Sequence, residues 1–282
     1  MGQLAGVAMA LVSAVTGASA HAMLKAGRDK LAIRALIALT SGLAAAPWTI
    51  VFALPTAALW RWLLLAAALH TIYQFVLAAA YDAADFVVAY PLARGLVPLS
   101  TAIVAVLLLG DTLTPLAACG VVAVSIGLLA IALRAGVAVA GVGWAVAAGL
   151  LTTTYTVVDG HAVRLASAAG TFIAWFFVLD ALFMVPLVSW LRRGDVMQRV
   201  RVEGRQGFIA GLLSLITYGS ALLALRLLPV GAASSLRETS VVFGAAIARL
   251  SLGEHLDRRR AVGVALIAIG GALVVAGVAH PR

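Results

Sequence analysis

Of 282 residues, 63% are hydrophobic and only 11% charged, the mean hydropathy is +1.09 and the formal net charge is +9. A soluble domain of this size needs roughly 25% charged residues, so composition excludes one and points to an all-α membrane protein, because Ala and Leu dominate and helices satisfy their own backbone in lipid. The basic residues are scattered over short loops without a basic face or interleaved aromatics. That excludes nucleic acid as a partner and assigns the charge to the lipid bilayer and to orientation. The lone Cys119 rules out an intramolecular disulfide.

Apolar runs long enough to cross a hydrocarbon core of ~30 Å predict ten transmembrane helices. Residues 2–24 lack a basic leading segment and read as the first span rather than a cleavable signal. The second covers 31–53, the third 60–81 and the fourth 85–109, where Gly110-Asp111 turns the chain into a fifth ending near Arg134. The sixth runs over 141–164 and the seventh over 169–191, followed by a basic loop over 192–205. The eighth covers 206–228, the ninth 230–252 beyond Pro229, and the tenth 260–279. No linker is long enough for a soluble domain.

Sliding the chain along itself until Leu109 meets Leu252 pairs Leu109-Gly110-Asp111-x-Leu113 with Leu252-Gly253-Glu254-x-Leu256. In the same register Gly120 meets Gly263, Ile126-Gly127 meets Ile269-Gly270, and Arg94 meets Arg237. A shared charge inside a span is harder to obtain by chance than a shared Ala or Leu. Residues 1–134 and 135–282 are therefore read as two five-helix repeats. An odd number of spans per repeat makes the second enter the membrane in the opposite sense. Such inverted repeats are typical of secondary transporters with a site at the repeat interface.

The two half-ends, Tyr90-Pro91-Leu92-Ala93-Arg94-Gly95 through Leu109-Gly110-Asp111 and Arg237-Glu238-Thr239-Ser240 through Leu252-Gly253-Glu254, resemble the drug/metabolite transporter superfamily, in its ten-helix EamA-like branch. The resemblance covers the whole chain. It implies exporters of amino acids, other metabolites or drugs, with spans one to four and six to nine around a central cavity and spans five and ten outside. The first span is also similar to the first helix of small multidrug pumps through Met23-Leu24-Lys25, but Gly17 stands where those pumps carry a glutamate. Their single-glutamate exchange mechanism is thus unsupported here.

An ionised group inside a span usually faces a cavity or a partner. Arg94 and Arg237 are the first candidates, as bidentate sites for a substrate carboxylate. The structural alternative pairs Arg94 with Asp82 or Asp85, and Arg237 with Asp159. Pro91 and Pro98 each remove a helix hydrogen bond, which predicts a kink, and a gating element, around Arg94. Further substrate-binding candidates are Tyr90 and Glu238 near the two arginines; His70, Tyr73 and Gln74 in span three; Tyr155 and Asp159 in span six; and Tyr218 beside Ser214 and Thr217 in span eight. Each could instead serve interhelical hydrogen bonding or an interfacial belt. Asp159, beside His161, would titrate if transport is proton-coupled, although its place near the end of its span also suits a solvated carboxylate. Asp180 lies deeper and has no obvious partner in the sequence, and Trp175 reads as packed or lipid-facing. The Gly-Asp and Gly-Glu turns read as structural, the acid capping the helix that follows. The glycines of spans five and ten suit close packing within a monomer or between the protomers of a homodimer.

Thirteen Lys or Arg residues flank the odd-numbered loops against four at the even-numbered loops and termini, which by the positive-inside rule puts both termini outside, whereas the family resemblance implies cytoplasmic termini. The resulting expectation is a secondary transporter of a small-molecule substrate, amino-acid-like as the first assignment, exporting by alternating access across a bacterial cytoplasmic membrane. The alternatives are a flippase of a lipid-linked molecule and a non-transporting receptor or assembly factor. No GxxxxGK[ST], HExxH or GxSxG motif is present, and His21, His70 and His161 lie on different spans. No ATP use, cofactor, metal or catalysis is therefore expected.

Overall fold

Long runs of Ala, Leu and Val with few breakers form helices, and the computed structural model, which describes residues 2–26, 30–83, 92–132, 139–192, 196–252 and 257–279, contains no strand among them. The helices are α1 (Gly2–Ala26), α2 (Lys30–Ala45), the single turn α3 (Trp48–Val51), α4 (Ala57–Ala83), α5 (Val97–Leu109), α6 (Pro115–Ala132), α7 (Val139–Leu165), α8 (Ala169–Leu191), α9 (Val196–Leu227), α10 (Val230–Glu238), α11 (Ser240–Leu252) and α12 (Arg258–Ala279). Among the described residues, 8 runs are long and apolar enough to cross a membrane. Their outer faces carry large apolar side chains in the open, such as Ile50 at 89%, Leu107 at 75% and Leu108 at 74% exposure. A soluble surface does not tolerate a belt of that kind, whereas lipid does.

Three predicted spans are interrupted, the fourth span beside Arg94 where a kink was expected, and one predicted loop is helical. The second span breaks at Ala46-Pro47, because proline lacks the N–H that would continue the ladder, and only α3 follows. The basic segment 192–205, expected as a loop, is helical from Val196 onward: charged residues end a lipid-length apolar run without ending a helix. The ninth span divides at Thr239, whose N–H turns back to Leu236 O at 3.2 Å and whose hydroxyl donates to the same oxygen at 2.6 Å. The fourth span shows a helical turn over 92–95, a turn residue at Leu96 and then α5. Pro98 has no N–H to offer the carbonyl of Arg94. The Leu99 N–H is taken by Ser125 Oγ at 3.2 Å. Tyr90, Pro91 and Asp85 lie outside the described residues, as does the Gly253-Glu254 turn.

The packing is reciprocal. Helix α1 lies on α9 and α4 lies on α7, α2 runs against both α8 and α9, α10 packs on α5, and α6 runs along α12. In that last pair the glycines bring backbones into contact. A Cβ on Gly120 would stand 2.6 Å from Gly270 O and one on Gly270 2.7 Å from Gly120 O; Gly127 and Gly263 repeat the arrangement at 2.7 and 2.8 Å. Only glycine allows so close an approach, which replaces side-chain interdigitation as the source of helix association in lipid.

The Gly110 turn is closed by a left-handed φ of 68°. Glycine adopts that conformation freely. Asp111, however, does not cap the next helix. Thr114 does, its Oγ1 accepting the Ala117 N–H at 3.2 Å. Asp111 instead reaches the start of α10, accepting the Val230 N–H at 2.6 Å, and takes both Arg164 Nη atoms at 2.6 and 3.2 Å. Arg164 also donates to Leu225 O and Leu228 O, and Arg226 donates to Val163 O and Ala166 O. The ends of α7 and α9 and the start of α10 are thereby tied into one knot.

Candidate functional site

A cavity of about 110 Å³ opens where α1, α2, α4, α7, α8, α9, α10 and the turn before α5 converge. Neither α6 nor α12 lines it among the described residues. Of the residues named from the sequence, His70, Tyr73, Gln74, Arg94, Tyr155, Tyr218 and Arg237 line it, together with Ser214 and Thr217. A larger groove of about 700 Å³ runs beside Thr112, Pro115, Pro229 and Gly277, but no charged side chain lines it.

Three arginines and three carboxylates meet in and around the cavity. Arg94 Nη1 donates to Glu238 Oε1 at 2.7 Å, joining the breaks of the fourth and ninth spans, and both side chains are largely buried. The carboxylate that reaches Arg94 is thus Glu238, one residue from Arg237, rather than an acid of its own loop. Arg34 Nη2 donates to Asp180 Oδ2 at 3.4 Å. Gln74, with its amide turned to present oxygen, accepts from Arg34 Nε and Nη2 at 3.0 and 3.1 Å. Arg34, placed with the loop cations by the charge count, is the fifth residue of α2 and supplies the partner that Asp180 lacked on paper.

Asp159 is fully buried, contrary to the solvated reading, because α7 continues to Leu165 and packs on α4 and α9. Its Oδ2 lies 2.9 Å from His70 Nε2 and accepts the Tyr218 hydroxyl, which stands 3.0 Å from the same imidazole nitrogen. Asp159 Oδ1 has no hydrogen-bond partner. Arg237 is not ion-paired to Asp159 among the described residues: its guanidinium carbon sits 5.3 Å above the centre of the Tyr218 ring. That is a cation–π contact. Tyr155 stacks at a tilt on His70 with centroids 4.0 Å apart, Tyr73 meets Tyr155 edge to face at 5.2 Å, and Phe176 closes on both His70 and Tyr218. Trp175 packs on Trp60, and His161 on Trp62, each edge to face.

Arg34, Ile37, Phe176, Phe177, Asp180 and Ala210 are lining residues that the sequence reading missed or left without a role. A signal existed for the first: Arg34 and Ile37 lie one turn apart on α2 and share a face, and a charge that follows the start of an apolar run by a full turn is better read as intramembrane.

Fold and site together define a multi-pass helical membrane protein with an ion-paired polar cavity at its centre. Comparison with known proteins is more specific. The model of the EamA-like transporter family matches residues 139–276. Solved structures match as well; one, a crystal structure of a protein 18% identical, superposes with a TM-score of 0.74 over 97% of this chain and 96% of that one, a likeness of fold alone. No curated protein matches. The family match places the chain in the drug/metabolite transporter superfamily, and the matched family is one of membrane transporters of small solutes.

Proposed function

We propose that this protein is a secondary transporter that exports a small amino-acid-like solute by alternating access, in a bacterial cytoplasmic membrane. The observation that carries this reading is Arg237: a half-buried guanidinium at the cavity, held over an aromatic ring and without a carboxylate among the described residues. A buried cation costs free energy until an anion meets it. A substrate carboxylate would meet it through the bidentate fork. Asp180 Oδ1, buried and without a hydrogen-bond partner, offers an acceptor for an ammonium group at the same cavity. Ligand sites usually enclose ~300–1,000 Å³. A cavity of about 110 Å³ lies below that range and suits only a small solute.

Alternating access needs two bodies, and residues 1–134 and 135–282 are our candidates. In the register that sets Leu109 on Leu252, the contact of Gly120 with Gly270 becomes that of Gly263 with Gly127. The helix break at Leu96 likewise falls on the break at Thr239. Contacts that exchange in this way support a two-fold relation between the halves, and spans interrupted at equivalent points beside the site are what inverted-repeat transporters use to hold substrate. Solute counterflow in proteoliposomes tests the reading: Arg237→Gln should abolish it in a protein that still folds, and unimpaired counterflow would refute the assignment.

A further inference from the structure

Pairing the cavity's charges leaves one couple divided. Arg34 pairs with Asp180 and Arg94 with Glu238, which leaves Arg237 and Asp159. Tyr218 stands between them, its ring under the guanidinium and its hydroxyl on the carboxylate. The imidazole of His70 touches both the Asp159 carboxylate and the Tyr218 hydroxyl, and the second Asp159 oxygen is buried without a partner. A buried oxygen left without a hydrogen bond calls for an explanation. Here it marks a carboxylate–imidazole couple with capacity for one more proton.

We infer that His70–Asp159 is the proton site of the transporter, and that it takes its proton together with a substrate carboxylate on Arg237, so that one proton crosses with each substrate. The inference rests on the reading of Arg237 as the carboxylate site. Arg237 faces the His70–Asp159 couple across the Tyr218 ring. A carboxylate seated on Arg237 cancels the arginine's positive charge, and a proton drawn from water onto the His70–Asp159 couple restores it. By linkage each then tightens the other by the same factor. No bond other than the proton's is made or broken.

The elements packed around the couple contribute no competing free charge among the described residues. Helix α4 adds Tyr73, α7 adds Tyr155, and α8 presents Asp180, already held by Arg34 of α2. Helix α10 presents Glu238, held by Arg94, and of the described residues of α1 only Gly17 lines the cavity. The direction of travel is set by the summed gradients, so a solute accumulated inside leaves with a proton.

The test uses the full-length protein in detergent micelles, with isotope-labelled histidine and the His70 signal assigned by its loss in His70→Gln. Arg237→Gln removes the same charge that a substrate carboxylate would cancel, and should raise the His70 titration midpoint by about one pH unit, a roughly tenfold gain in proton affinity. Arg237→Lys keeps the charge and should leave the midpoint in place. A midpoint that Arg237→Gln does not move overturns the coupling. Wild-type protein provides a second arm that needs no variant: adding propionate in weak buffer should draw about one proton per propionate bound. Propionate binding without proton uptake also overturns the proposal. A shifted midpoint in Arg237→Gln with no propionate binding upholds the coupling and refutes only the carboxylate reading of Arg237.

Discussion

Glu238→Gln removes one charge from the Arg94–Glu238 pair while keeping the shape of the side chain and one acceptor oxygen. With the nitrogen and oxygen 2.7 Å apart and the Glu238 side chain only 2% exposed, solvent screens the pair little. Taking the charge centres as ~4 Å apart at an effective dielectric constant of ~20, the attraction is about 4 kcal/mol. Removing one partner of a buried pair costs about 3–5 kcal/mol, because the surviving charge stays buried. We therefore expect Glu238→Gln to destabilise the protein by about 3 kcal/mol. Desolvation offsets most of the attraction within an intact pair, so replacing both residues by Met should cost far less than the sum of the single losses. Equilibrium unfolding in mixed detergent–SDS micelles, followed by circular dichroism across the four-variant cycle, reads this directly. A coupling energy of about 2 kcal/mol or more is expected; additivity within about 0.5 kcal/mol would refute the reasoning.

Gly120→Ala places a methyl group against Gly270 O, a backbone atom that cannot step aside. It should cost about 1–3 kcal/mol in the same unfolding assay. At Gly244 an added Cβ meets no neighbouring atom. Gly244→Ala should therefore be neutral or stabilise by up to about 1 kcal/mol. Asp111→Ala removes the carboxylate that accepts the Val230 N–H. Loss of such a cap should cost roughly 1 kcal/mol. Little of that comes from Arg164, whose side chain is 29% exposed, because solvent screens a pair so placed. Faster amide exchange at the start of α10 would report the lost cap, and unchanged exchange there would count against it.

How far the sequence could be read depends on the physics behind each feature. Span length is legible because lipid demands an uninterrupted apolar run, which is why α4, α7 and α8 lie within a few residues of expectation. The same rule measures lipid thickness rather than helix length, so it is blind to the continuation of α9 through its arginines and to the break at Thr239. His70, Gln74 and Tyr218 were recognisable as polar groups on apolar helices. The bond between Arg34 and Asp180, by contrast, joins positions in different halves of the chain and exists only once α2 lies on α8. The depth of Asp159 was misjudged for a related reason, since burial was supplied by neighbouring helices rather than by its own. The repeat did not help with the constellation itself. In the register that sets Leu109 on Leu252, Asp159 falls on Thr16, His70 on Leu213 and Tyr218 on Phe75, so the two halves share the arginines Arg94 and Arg237 but not the His70–Asp159–Tyr218 cluster.

Counterflow across proteoliposomes tests the transport assignment most directly. Vesicles preloaded with L-alanine, glycine or propionate would be diluted into tracer of the same solute, with wild type compared with Arg237→Gln and with Gly244→Ala as a folded control. The account predicts saturable tracer accumulation with at least one of these carboxylates in wild type and in Gly244→Ala, and none above empty vesicles in Arg237→Gln. Equal accumulation with and without Arg237, or none in any vesicle, would contradict it.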